Sequence, residues 1–391
     1  MTTVEPEKRV RTVRVLAEVD ELKDFWASCP THRDADFDFY LFYLRNSPEV
    51  VRPHVIVLYR DGRPHALLVG RLEKRGVDIR LGYIRLIRLR LRALTFMYGG
   101  VLGDISSAAD AKDVISCIEE SLRAGEADAA FLEYLPVDSP LHGCARSLPN
   151  PVRVNHFAES RIHRIRTLAR GKSFIESLSS HERNNHKRRA RRLAETFGDN
   201  VRIECFHDAS ALQRLMEHAE SIAEKSYQRG LGVGFANTPE MRKRLELEAQ
   251  KKWLRAHILY LNDQPCSFWV CSYYNGTLYS DFMAFDREYG KYAPGMYLVI
   301  NVIEEIRRED GNPEAARIDF GIGDSEWKCI LGNQSWREEL VCIFAPAATA
   351  VGVNSLQTIV AAIDRAGRAI LRRSNLLPRV KRAWRSRIAR G

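Results

Sequence analysis

The sequence has no apolar run of the roughly 18 residues that a membrane-spanning helix requires. The longest candidate, Val341 to Val353, is too short and is interrupted by Pro346. The first residues, Met1-Thr-Thr-Val-Glu-Pro-Glu-Lys, lack the basic start and apolar centre of a signal peptide. Eight cysteines form no CxxC pair and no ladder of spacings, which argues against a disulfide scaffold and for free thiols in a reducing compartment. A cytoplasmic protein is the expectation. There is no Walker loop and no HExxH, and His181 and His186 stand five apart on different sides of their helix. No metal is expected. Acid is missing from the end of the chain. Between Arg365 and Gly391 there are ten Arg or Lys and no Asp or Glu, which equals the entire net charge of +10. This tail is a candidate for peripheral contact with the inner face of a membrane or with an anionic polymer, and the rest is balanced.

What remains is a globular composition. The chain has 391 residues, 45% of them apolar and 28% charged, and that length predicts two domains. Arg11–Leu16 reads as a short strand, Val19–Trp26 as helical and Phe37–Leu44 as an aromatic patch. His54–Gly70 reads as a hairpin about Asp61-Gly62. Ile79–Leu94 alternates Arg with Leu or Ile and reads as one half-exposed strand. Leu94–Val101 is a further strand, followed by a helix over Asp110–Gly125 and a strand over Ala129–Leu135. The second half repeats this grammar. A hairpin turns at Asn262-Asp263, Asn275-Gly276 is a strong turn, and Thr277–Phe285 follows as a strand. A helix over Pro294–Asp310 lines up Met296, Val299, Ile300, Ile303 and Ile306, with Gly311 as its stop, before a strand at Ala316–Phe320. The repetition predicts two similar α/β (α+β) domains, each a mixed, mostly antiparallel sheet flanked by helices. The expected division is 1–160, 161–345 and a helical basic tail over 346–391. Between the halves lies a helical insertion, with a basic helix over Ser180–Gly198, a second helix over Ala209–Arg229 and a third capped at Thr238-Pro239.

The candidate chemistry gathers after the Thr277–Phe285 strand. Pro294 fixes φ where a helix begins, Gly295 permits close backbone approach, and the first-turn amides with the helix dipole suit a pyrophosphate. Asp281 lies on the strand before, and Asp319, Asp324 and Lys328 lie at the end of the next. Acyl transfer needs an acceptor for the leaving proton and a donor for the developing oxyanion; a strand carboxylate and Lys328 suit those roles. Each of these residues has a structural alternative as a turn cap or ion-pair partner. The Gly230–Gly234 run follows a helix rather than a strand and reads as a loop near an acceptor site.

Two stretches carry a resemblance. Tyr292-Ala-Pro-Gly-Met-Tyr-Leu298 followed by Asp319-Phe-Gly-Ile-Gly-Asp-Ser-Glu-Trp-Lys328 resembles the CelD-like acetyltransferases of the GNAT superfamily, which are related to the double-GNAT FemAB peptidyltransferases. The likeness extends over roughly 165–345, including the basic helix and the aromatic Tyr227, and reaches the first half only by architecture. Ala293, Ile322 and Trp327 depart from the usual serine, arginine and tyrosine. The resemblance implies acetyl-CoA or another acyl-CoA as donor, held by Tyr292, Ala293, Pro294, Gly295, Met296, Tyr297 and Leu298. Lys328 would stabilise the oxyanion or a phosphate. Asp281 or a water chain would take the proton, with Asp324 a further catalytic candidate. Arg183, Tyr227, Asp319 and Trp327 would meet the acceptor, an amine or hydroxyl on a small molecule or saccharide in polysaccharide or cell-envelope biosynthesis. Two rival expectations stand beside it: a FemAB-like aminoacyltransferase using aminoacyl-tRNA, and a non-catalytic binding module in exopolysaccharide assembly.

Overall fold

The structure, a computed structural model, describes residues 9–373 except 83, 149, 156–159, 169–172, 227, 230–233 and 307–314. In chain order the first elements are β1 (Val10–Val13), α1 (Leu16–Asp20), α2 (Lys23–Ser28), α3 (Phe37–Asn46), β2 (Val50–Pro53), β3 (Val55–Arg60), β4 (Arg63–Leu81), β5 (Ile84–Gly103), α4 (Ala108–Arg123), β6 (Ala129–Pro136) and α5 (Pro140–Arg146). Then come β7 (Ser160–Thr167), α6 (Ser180–Phe197), β8 (Val201–Phe206), α7 (Leu212–Glu224), α8 (Pro239–Gln250), β9 (Leu254–Leu261), β10 (Gln264–Tyr274), β11 (Thr277–Phe285), α9 (Pro294–Ile306), β12 (Arg317–Ile322), α10 (Glu326–Leu331), β13 (Gln334–Phe344) and α11 (Ala348–Arg373).

The described residues divide into two compact units, 9–161 with 337–373 and 162–336. Within the first, strands run β1-β3-β4-β5-β6-β13, with β2 on β4. Within the second they run β7-β12-β11-β10-β9-β8. Each is a mixed, mostly antiparallel sheet with one parallel pair, β5 with β6 and β11 with β12. The parallel pairs are joined through α4 and α9 respectively, as parallel neighbours need a crossover. Each sheet closes on a strand from the other half of the sequence. β13 pairs antiparallel with β6, matching Val341 to Leu132, so residues from 337 onward cluster with the first unit rather than with the expected 161–345 domain.

The hairpin turns follow their residues. Asp61-Gly62, Asn262-Asp263 and Asn275-Gly276 each form a two-residue loop with both φ values positive, the geometry whose twist suits β-ribbons. One expected element is corrected. Ile79–Leu94 is not a single strand, because Gly82, at φ +59°, turns the chain there. β4 and β5 then pair along nearly their whole lengths, from Ala66 with Gly103 to Leu81 with Ile84. The aromatic patch becomes α3, whose start is capped by Asp36 accepting from the amides of Asp38 and Phe39. The expected end of α9 at Asp310-Gly311 lies outside the described residues. No described helix is long and apolar enough to cross a membrane.

Both sheets bury apolar side chains on two faces, with Trp26 and Tyr40 inside the first unit and Trp269 and Phe320 inside the second. Two histidines are buried with them. His54 and His257 each have one ring nitrogen without a hydrogen-bond partner. Burial, aided by Arg52 and Arg255 respectively, pushes each imidazole down to about 3. An unfolded histidine takes up its proton near pH 6.5, so folding excludes a proton between about 6.5 and 3. Stability is therefore full above pH 6.5 and falls as acid is added, by at most about 5 kcal/mol for each histidine. Thermal melts from pH 7 to 4 should show this fall, and His257→Gln should flatten it in the second unit.

Candidate acyl-transfer site

β11 and β12 are in register only over Thr277 with Arg317, Leu278 with Ile318 and Tyr279 with Asp319. Past that point each strand is irregular. Asp281 is the extra residue of a bulge on β11 opposite Val270 and Cys271, and β12 shifts against β7 between Asp319 and Gly321. A bulge bends its strand and re-aims side chains. Where the pairing stops, a cavity of about 260 Å3 opens, lined among others by Ser280, Asp281, Met283 and Phe285 of β11, with Trp327 and Lys328 of α10. Ser226 and Gln228, which follow α7, complete its wall.

Lys328 is the cation of this cavity. Its Nζ donates to the Ile322 carbonyl at 2.8 Å. Burial lowers its pKa to about 8, against a smaller opposing pull from Asp319. Asp281 is held differently. Arg244 of α8 donates to its carboxylate at 2.8 Å and to Glu248 at 2.9 Å. Glu248 is fully buried, so one guanidinium serves two enclosed carboxylates.

α9 begins beside this cavity. Ala293 is left-handed at φ 51°, Pro294 follows, and the first intrahelical bond runs from the Tyr297 amide to the Ala293 carbonyl. The amides of Gly295 and Met296 thus precede the helix's own hydrogen bonding. A methyl on Gly295 would sit 3.6 Å from Phe285 and 3.9 Å from Met283, both cavity residues. No acid occupies the first turn of α9.

The other residues singled out in the sequence fall in varied places. Trp327 lines the cavity and meets Phe320 edge to face at 5.4 Å. Asp319 is buried outside the cavity lining, accepting from the Gly321 amide at 2.7 Å and 2.8 Å from His163 Nε2. Asp324 is 58% exposed, and the Arg164 guanidinium beside it holds its pKa below the usual range. Arg183 donates to the carbonyls of Glu176 and Leu178, closing the turn before α6. Tyr292 packs on Phe197, Leu298 is in the core, and Tyr297 stacks on His186 at 5.9 Å. Tyr227 lies outside the described residues. Arg244 was not singled out by the sequence reading. Its only local signal is the i,i+4 spacing to Glu248, common on any exposed helix. Among the described residues no His, Cys, Asp or Glu cluster could hold a metal.

Residues 180–329 match the family model described as the acetyltransferase (GNAT) domain. This domain makes the protein an acyltransferase. At the level of fold, the chain is similar to the crystal structure of FemX, with TM-score 0.52 and 13% identity over 84% of this chain and 96% of that one. It is likewise similar to a tandem GNAT protein from the clavulanic acid biosynthesis pathway, with TM-score 0.53 and 12% identity over 87% of this chain and 99% of that one. The fold is that of a tandem GNAT protein. No curated protein matches the chain.

Proposed function

We propose that the second unit transfers an acyl group directly from acyl-CoA to an amine or hydroxyl acceptor. The observation that carries this reading is the cavity between the parting strands β11 and β12, which has the start of α9 beside it and Lys328 in its wall. The donor's pyrophosphate would lie on the Gly295 and Met296 amides, where the helix dipole favours negative charge. Its thioester would reach the cavity, where the Lys328 ammonium would face the oxyanion as it forms. Asp281, ion-paired with Arg244, would hold the acceptor amine or hydroxyl and receive its proton directly or through water. Acetyl-CoA is the donor we favour, and a sugar of a cell-envelope polysaccharide the acceptor.

The first unit argues for one donor site. At the matching crossover, α4 is capped by Ser107 and carries the buried Asp110 in its first turn, charge that opposes a phosphate there.

The test is a thermal-shift titration with acetyl-CoA, followed by thiol release with candidate acceptors. At a concentration about 100 times Kd the donor should raise Tm by roughly 5–10 °C. Absence of any shift with acyl-CoAs would overturn the proposal. The resemblance to FemAB-type transferases gives one competing reading, an aminoacyl-tRNA donor. Stabilisation by tRNA and not by acyl-CoA would select it. Gly295→Ala offers a sharper check. The added methyl fits at ordinary contact distance, so Tm should hold or rise, since alanine is the better helix former. The lost close approach should weaken donor binding about tenfold, or ~1.4 kcal/mol, read as the donor KM.

A further inference from the structure

Seven of the thirteen large apolar side chains exposed among the described residues belong to the β4–β5 hairpin and the neighbouring α11 of the first unit. Leu81, Ile84, Leu86 and Ile87 form the outer end of the β4–β5 hairpin, and Leu356, Ile359 and Ile363 form one stripe of α11. The Gly82 amide donates to Asp364 Oδ1 at 2.9 Å, which brings the hairpin turn to the helix beside Ile363. The apolar face of the hairpin is continuous. Val77 and Ile79 on the same ribbon are buried, while Ile84 is 58% exposed and Ile359 57% exposed. An apolar surface that begins inside a core and ends in water marks a place for a partner.

Arginine outnumbers acid around it. Arg80, Arg85, Arg88, Arg90 and Arg92 fall within a stretch that holds no acid. Asp78, next along β4, pairs with Arg80 and Arg88, and Asp364 stands at the turn, so the five arginines outnumber the two acids and leave the ribbon net positive. The sequence after Arg373 holds further Arg and Lys and no acid.

We infer that the first unit docks on an anionic lipid bilayer, inserting the Ile84–Ile87 hairpin end and the Ile359–Ile363 stripe of α11. Branched aliphatic side chains enter the boundary between headgroups and acyl chains, while the arginines and the following basic segment meet lipid phosphates. Nucleic acid fits less well, because the four hairpin-end and three helix side chains are Leu and Ile, and base stacking needs aromatic faces, of which the hairpin-end sequence has only Tyr83. This inference does not rest on the acyl-transfer reading, and its failure would leave that reading intact.

The experiment is co-sedimentation of the full chain with vesicles of phosphatidylcholine, alone or with about one-third phosphatidylglycerol. The chain should pellet with the anionic vesicles and not with the neutral ones, and high salt should release part of it. The double variant Ile84→Ser, Ile359→Ser should lower the partition coefficient at least about tenfold while leaving Tm within about 2 °C, as expected for exposed positions. A second variant, Arg85→Glu with Arg90→Glu, should weaken binding to anionic vesicles alone. Equal vesicle binding by parent and double variant would overturn the inference. So would binding to an RNA oligomer without binding to vesicles. A concentration-dependent dimer abolished by the double variant, with no vesicle binding, would reassign the patch to a second copy of the chain.

Discussion

Lys328→Met is expected to lower acyl transfer by about 100- to 1,000-fold without lowering the unfolding temperature. Both halves of this result come from one fact, the partial burial of an ammonium whose pKa falls from 10.5 to about 8. Desolvation disfavours the charged form, so the folded state carries a cost on the order of 3 kcal/mol while Lys328 stays protonated. Methionine fills the same space without that cost and forfeits the hydrogen bond to the Ile322 carbonyl, worth about 1 kcal/mol, and a cation–π contact with Trp327 at 5.7 Å. The sign is testable by pH. The unfolded lysine holds its proton up to 10.5 and the folded one only to about 8. Parent stability should thus rise between those values, and the variant should lack that rise. Activity should move the other way. If the ammonium stabilises the oxyanion, the rate falls as pH rises through about 8. A rate that climbs there, lost in the variant, would make neutral Lys328 the base instead.

The second large effect is on stability. Arg244→Leu should cost about 3–5 kcal/mol, the range for breaking a buried ion pair from one side, and lower the unit's Tm by roughly 6–20 °C. Arg244 is shared by Glu248, fully enclosed, and Asp281, 9% exposed. Without it two carboxylates face one another across a low-dielectric pocket. The Arg244→Leu, Glu248→Gln, Asp281→Asn triple variant should regain much of the lost stability, because it removes the charge that Arg244 balanced. Arg244→Lys should rescue poorly, since a single ammonium lacks the fork that spans both acids. Activity should fall with Asp281→Asn alone, at a Tm near the parent's. Full activity in that variant would remove Asp281 from the proposed acceptor site.

The elements around the cavity were legible because their signals are local. Asn275-Gly276 set the turn into β11, Pro294-Gly295 set the start of α9, and the apolar spacing of Val299, Ile300 and Ile303 set its buried face. Lys328 and Trp327 were legible only as part of a motif, and the cavity that receives them is formed where β11 and β12 cease to pair. The Ile79–Leu94 alternation read as one strand because a glycine turn followed by a single aromatic residue leaves the period of 2 nearly unbroken. Asp324 carried the same sequence signal as Lys328, four residues away, yet the surface position and Arg164 hold it outside the cavity lining.

By itself, then, the sequence determined the repeated hairpin–helix–strand grammar, the helix start at Pro294 and the basic tail, since turn dihedrals, helix periodicity and charge are properties of neighbouring residues. Only the tertiary structure decided that β7 closes the second sheet and β13 the first, that Arg244 meets Asp281, and that the bulge at Asp281 faces Lys328's cavity. Those contacts join residues tens to hundreds of positions apart, and their energies come from burial and pairing that no local window of sequence contains.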